Sequence, residues 1–369
     1  MAPFPRVPVA LLLAAVVVAA AEAAAYRDPG GRRDKARLGR CIFAFGNSLT
    51  DTGNAAINPV TAGGTFTRLP YGETYFGHPS GRASDGRIFI DFLVEELKLP
   101  QPTPYLAGRT AADFQNGVNF AVGGATALEP AFLESQGVKT FVPVSLNNET
   151  RWFENVVQQL GSSAHERRKM AASSIFLMGE MGINDYFEAL LSNHTIDQVA
   201  GLVPHVVGTI RSAITAMIAA GARTVVATSM TPLGCAPYLL TMFPGDRDAA
   251  GCNTRLNGLA ELHNRALNQT LAELRRAHPG SSPLYADVYG TLAAAVASPA
   301  EYGFGDTPLA ACCGAGGGAY NFNFTAFCGD PGSTACAEPS KYVSWDGIHF
   351  TEAANRFIAS AVLKGLSEC

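Results

Sequence analysis

The residues best suited to chemistry lie near opposite ends of the chain. Ser48 follows a short apolar run, and Asp346 and His349 stand three positions apart near the carboxyl end. A serine hydroxyl is a poor nucleophile until a base takes its proton. His349 is the candidate base. Trp345-Asp346-Gly347-Ile348-His349 puts a carboxylate within one local turn of that imidazole. Asp346 can then accept from one ring nitrogen while the other faces Ser48, which is the logic of a Ser-His-Asp triad. A tetrahedral intermediate also needs donors for its oxyanion. The backbone N–H of Ser48, the backbone N–H of Gly124 and the side-chain amide of Asn184 are the candidates, each worth about 2.7–4 kcal/mol of barrier. Taken singly, each has a plainer reading: Ser48 as a turn or cap, Gly123-Gly124 as a turn, Asn184-Asp185 as a helix cap. Their joint order is what argues for chemistry. His78, His165, His194, His205, His263 and His278 show no pattern and read as structural or surface residues.

Gathering such distant residues requires a scaffold that ends several strands at one edge. The apolar runs 41–45, 118–122, 174–178, 223–228 and 284–288 read as short strands. Residues 85–97, 197–220, 257–278 and 351–366 read as helices, with Gly221 and Pro279-Gly280 as stops. This alternation predicts an α/β fold with a parallel sheet covered on both faces. Open parallel sheets bind ligands beyond the carboxyl ends of their strands, where Ser48, Gly123-Gly124 and Asn184 fall. Without a Pro/Ser-rich linker, residues 41–369 are expected to form a single domain.

The chain has 369 residues, 47% hydrophobic and 16% charged. That supplies a full core and excludes wholesale disorder. A net charge of -4 argues against a nucleic-acid binder. Arg6, the apolar run 7–21 and the A-x-A sites ending at Ala23 and Ala25 predict a signal peptide over 1–25. Residues 26–40 then form an N-terminal extension of a secreted, extracellular or cell-wall protein. The leader is too short, and too interrupted by Glu22, for a stable membrane anchor. No later segment reads as apolar enough to cross a bilayer. All 8 cysteines follow the leader, in an oxidising compartment. Cys235 and Cys252 are expected to pair across a loop. Cys312, Cys313, Cys328 and Cys336 are expected to staple a Gly-rich stretch, their connectivity open. Cys41 reads as a buried small hydrophobe and Cys369 as a free terminal thiol. Asn148, Asn193, Asn268 and Asn323 are N-glycosylation acceptor sites expected on the surface. Zinc-ligand spacings and nucleotide-binding glycine patterns are missing, so neither a metal nor a cofactor is expected.

Four blocks carry a resemblance. They are Phe43-Ala44-Phe45-Gly46-Asn47-Ser48-Leu49-Thr50-Asp51-Thr52-Gly53-Asn54, Asn119-Phe120-Ala121-Val122-Gly123-Gly124-Ala125, Gly182-Ile183-Asn184-Asp185 and Asp346-Gly347-Ile348-His349-Phe350-Thr351. In this order, from about residue 41 to the end, the chain resembles the plant GDSL-type esterases/lipases of the SGNH hydrolase superfamily. The resemblance implies a flavodoxin-like, three-layer α/β/α sandwich around a five-stranded parallel sheet. It makes Ser48, Gly124, Asn184 and His349 the four eponymous residues, with Asp346 completing the triad and Gly123 the alternative to Gly124. It implies a serine ester hydrolase acting on a small acyl ester, with acetylated wall polysaccharide the first expectation and acyl transfer or lipid hydrolysis as alternatives. A purely glycan-binding role fits poorly with an intact triad. One departure stands out: Asn47 occupies the position where the family usually has Asp. Asn is nearly isosteric but uncharged, and adds two donors; activity is expected to survive it. A G-x-S-x-G elbow is lacking. Phe66, Tyr71, Tyr75 and Phe76 read as core more readily than as an acyl pocket.

Overall fold

The computed structural model describes residues 41–367. The expected leader, the 26–40 extension and Cys369 lie outside the described residues. Among the described residues, six parallel strands, β1 (Ile42–Phe45), β2 (Thr103–Pro104), β3 (Gly117–Asn119), β4 (Ile175–Met178), β5 (Thr224–Thr228) and β6 (Ser282–Ala286), form one sheet in the order β2-β3-β1-β4-β5-β6. The five expected strands are all present. The sixth, β2, is a two-residue edge strand whose brevity gives no periodicity, and its proline suits an edge because it lacks a ladder donor.

β1 sits centrally, paired with β3 on one side and β4 on the other. From β1 the chain passes to β2 at the edge, returns inward to β3 and then crosses to β4 on the other side of β1, which places a topological switch at the carboxyl end of β1. Phe43, Phe45, Phe120 and Phe176 are fully buried around Phe153 from the helix Leu146–Leu160. Phe153 lies edge-on to all four, with ring centroids 5.5–6.1 Å apart. Offset and edge contacts of this kind add to plain burial and fix the floor beneath the first block. The helices Val203–Ala220 and Thr254–Ala277 pack on each other, and the helices Phe89–Leu97 and Val288–Ala297 pack on Glu352–Ser367.

Several boundaries differ from the sequence reading. The helix expected over 85–97 begins at Phe89, because the Asp85 carboxylate is occupied with the Glu352 N–H and the Thr74 hydroxyl. The run expected over 197–220 is two helices, Ile196–Ala200 and Val203–Ala220, broken at Gly201-Leu202 with Pro204 opening the second. Contrary to expectation, the stretch Ile196–Ala220 is long and apolar enough to cross a membrane. Here Val206, Val207, Ile210, Ala213, Ile214 and Met217 are buried in the core. The helices Leu146–Leu160, Ala164–Ala172 and Val288–Ala297 were not foreseen, and Ile183–Leu191 was foreseen only through the plainer reading of Asn184-Asp185 as a helix cap.

Three disulfides are present among the described residues. Cys235 pairs with Cys252 as expected; the other four cysteines pair as Cys312–Cys336 and Cys313–Cys328. Cys41 is a buried free thiol beside the Ser174 hydroxyl. Among the sequons, Asn193 and Asn268 are exposed, while Asn148 and Asn323 are half-buried. The Asn148 side chain is engaged locally, accepting from the Ser145 N–H and hydroxyl at the start of its helix.

Candidate active site

Ser48 lies on the turn that leaves β1. That turn is held by Asn47, whose carbonyl accepts from the Thr50 and Asp51 N–H groups and whose side-chain oxygen accepts from Leu49 N–H. His349 reaches Ser48 from the other end of the chain: its Nε2 is 2.9 Å from Ser48 Oγ, and its Nδ1 is 2.7 Å from Asp346 Oδ2. The local turn is built by Asp346 itself, whose Oδ1 accepts from the Ile348 and His349 backbone N–H groups. Gly347 adopts φ +93°, and a Cβ there would meet the Phe322 ring at 2.3 Å, so only glycine fits. The structure thus brings Ser48, His349 and Asp346 into one hydrogen-bonded chain. All three are nearly buried, with Ser48 9% exposed.

Asp346 Oδ2 has a second donor, the buried Tyr71 hydroxyl at 2.7 Å. Burial pushes the Asp346 carboxyl up. The His349 charge and the hydrogen bonds from His349 and Tyr71 outweigh it and bring the pKa down to about 2. Asp346 is therefore an anion at any ordinary pH, the state in which a carboxylate can stabilise a neighbouring imidazolium. Of the four aromatics Phe66, Tyr71, Tyr75 and Phe76, Tyr71 is core, Phe66 is half-buried with its ring edge-on to His349 at 5.3 Å, Phe76 is half-buried, and Tyr75 is 52% exposed.

A neighbouring carboxylate distinguishes the two glycines. Asp51 accepts four backbone N–H groups, from Gly53, Asn54, Ala55 and Gly123. Gly123 N–H is therefore spent. The N–H groups of Ser48 and Gly124 have no acceptor among the described residues. Gly124 adopts φ +87°, and a Cβ there would meet Val142 at 2.5 Å. Asn184, half-buried in the first turn of Ile183–Leu191, donates one amide hydrogen to Ala125 carbonyl at 2.7 Å. Its second amide hydrogen remains available. Asp185 lies in the first turn of that helix, where its carboxyl engages its own backbone N–H. Its two oxygens also accept from Ala127 and Leu128 N–H, which ties the segment just after the second block to the third.

Sequence reasoning missed these tethers: Tyr71, Asp51, Asp185, the buried Asn54 and Asn119, and Glu180, whose carboxyl accepts from Asn47 Nδ2 and Ile183 N–H. Asn54 spans Asn119 and Ala121 carbonyls, and Asn119 returns to Thr50 carbonyl and Thr52 hydroxyl. Their signal was present as polar residues within otherwise apolar strand ends, where burial obliges each to find partners.

The family model described as GDSL-like Lipase/Acylhydrolase matches residues 42–362. Among curated proteins, GDSL esterase/lipase At1g28590 of Arabidopsis thaliana is 43% identical over 333 residues, covering 88% of this chain and 82% of that protein. GDSL esterase/lipase At2g27360, also of Arabidopsis thaliana, is 42% identical, covering 90% of this chain and 86% of its own. The chain belongs to the GDSL-like lipase/acylhydrolase family. It is a carboxylic ester hydrolase with the α/β fold of that family.

Proposed function

We propose that this protein is a secreted, glycosylated serine ester hydrolase that works through an acyl-enzyme, with Ser48 as nucleophile, His349 as general base and acid, and Asp346 as its orienting carboxylate. The observation that carries the reading is the continuous chain from Ser48 Oγ through His349 to Asp346, with links of 2.9 and 2.7 Å. His349 Nε2 takes the Ser48 proton as Oγ bonds to the acyl carbon. The carbonyl oxygen becomes an anion met by the Ser48 and Gly124 N–H groups and the free amide hydrogen of Asn184. The ester C–O bond then breaks, and imidazolium returns the proton to the leaving alkoxide. Water repeats the sequence on the acyl-enzyme, losing its proton to His349 and releasing the acid. Asp346 stays ionised throughout and stabilises imidazolium.

The substrate in this reading is an ester of a small acyl group, foremost acetyl on cell-wall polysaccharide. Its support is the low exposure of Ser48, with Phe66 against His349 and Val142 against Gly124, together with the leader-like N-terminus. The test is hydrolysis of p-nitrophenyl acetate and butyrate by wild type, Ser48→Ala and His349→Ala. Loss of turnover in both variants with acetate preferred supports the reading. Undiminished turnover in Ser48→Ala, or a preference for butyrate, counts against the nucleophile or the acyl size respectively.

A further inference from the structure

We propose that Glu180 is a positioning residue for this site, and that Asn47 is the uncharged partner its carboxyl requires. Both are buried, at 3% and 0% exposure. Asn47 Nδ2 donates to Glu180 Oε2 at 2.7 Å, and Ile183 N–H donates to Glu180 Oε1 at 3.0 Å. Asn47 immediately precedes Ser48, and Ile183 immediately precedes Asn184. The carboxyl therefore bridges the nucleophile turn to the helix that carries the side-chain oxyanion donor. Asn47 uses its other side-chain atom to accept from Leu49 N–H, so each end of its amide has one assigned partner.

The position that departs from the family pattern is thus the position that faces a buried carboxyl. In Asn47→Asp, two carboxyl oxygens would meet at hydrogen-bond distance and would need a proton between them, because like charges so close cannot both ionise. Among the described residues, the ionisable groups around Glu180 offer no cation to relieve this. Asp185, Tyr186 and Tyr238 lie close enough to couple electrostatically to it, and His263, against Gly182, is held neutral by burial. Exchanging the polarity of the pair, by Asn47→Asp together with Glu180→Gln, would restore both bonds. The new amide at position 180 would donate to the new carboxylate at position 47 and still accept from Ile183 N–H. That carboxylate would accept from this amide and from Leu49 N–H.

The inference rests on Ser48 as the nucleophile. The experiment is the pH profile of kcat/KM on p-nitrophenyl acetate for wild type, Asn47→Asp, Glu180→Gln and the double variant. Asn47→Asp is expected to gain an alkaline limb in which activity falls about tenfold per pH unit once the shared proton is lost. Glu180→Gln is expected to lower kcat without that limb. The double variant is expected to lose the alkaline limb and to exceed both single variants above pH of about 8. A wild-type profile in Asn47→Asp, or a double variant no better than Asn47→Asp, overturns the proposal. If Asn47→Asp unfolds at alkaline pH, seen by circular dichroism, rescue of its fold by Glu180→Gln is the expected result, and failure of that rescue overturns it. Wild type without Ser48-dependent turnover defeats the reading of the site itself. Ser48-dependent turnover without rescue in the cycle defeats this inference alone.

Discussion

Asp346 has more donors than an orienting carboxylate needs for its imidazole. Two backbone N–H groups hold Oδ1, and Oδ2 is shared between His349 and Tyr71. The Tyr71 hydroxyl thereby competes with His349 for the same oxygen. In Tyr71→Phe, Asp346 Oδ2 loses the donor that fixes it from the side opposite His349, and kcat should fall about tenfold, the size of a hydrogen bond to a charged group. Steady-state kinetics of the variant beside wild type check this, and an unchanged kcat would contradict it. Ser48→Ala and His349→Ala should each lower kcat about a thousandfold or more. That Ser48, Asp346 and His349 could meet was legible in the sequence because an Asp-x-x-His turn is local and because Ser48 ends a recognisable strand. Tyr71 was not. Its partner is 275 positions away, and an aromatic residue gives no sequence signal for where its hydroxyl points.

Elements reach the site through buried carboxylates rather than through contact alone. Asp51 joins the first block to Gly123, and Asp185 joins the helix Ile183–Leu191 to Ala127 and Leu128. Asp185→Asn presents an NH2 group to one of those two N–H donors. It should cost about 1–3 kcal/mol and lower kcat by loosening the Gly124 loop, measured by denaturant unfolding beside steady-state kinetics. Burial also sets a pH dependence of stability. It pushes Glu180 and Glu188 up to about 8 and Asp185 up to about 7. Above the ordinary carboxyl range the unfolded chain has lost protons that the fold still holds. Their contribution is therefore fully present below that range and is lost as pH rises through these values. His263, held down at about 4 by burial, acts oppositely, adding stability as pH rises from about 4 toward the ordinary histidine value. Glu188→Gln should shrink the difference in unfolding free energy between about pH 5 and about pH 8; an unchanged difference would contradict this origin. The five principal strands were visible as apolar runs because both faces of the sheet are buried. The helix Leu146–Leu160 was missed although its buried Leu146, Phe153, Val156 and Val157 lie on one face, because its polar majority masks that stripe. The break at Gly201-Leu202 was hidden inside a continuous apolar pattern.

At the scale of the whole molecule, covalent staples stand behind the histidine end of the site. Cys312 and Cys313 N–H donate to Ser344 and Trp345 carbonyls, the two residues before Asp346. Tyr71 and the fully buried Trp345 pack with Cys312, Cys313 and Cys328. Removing Cys313–Cys328 by double serine substitution opens a link spanning 15 positions, worth about 3 kcal/mol by chain entropy. The melting temperature and kcat should both fall while the far-UV circular dichroism of the sheet and helices persists. Equal activity in the double variant would separate the staple from the site. The sequence showed that this Gly-rich loop needs cross-links. Its pairing emerged only from the fold, since cysteine spacing leaves the connectivity open. The most direct test of Ser48 as nucleophile is to trap the enzyme with a fluorophosphonate and map the adduct by peptide mass spectrometry. One adduct is expected, on Ser48, formed together with loss of p-nitrophenyl acetate hydrolysis and absent in Ser48→Ala. Inactivation with the adduct on any other residue, or full labelling of Ser48→Ala, would contradict it.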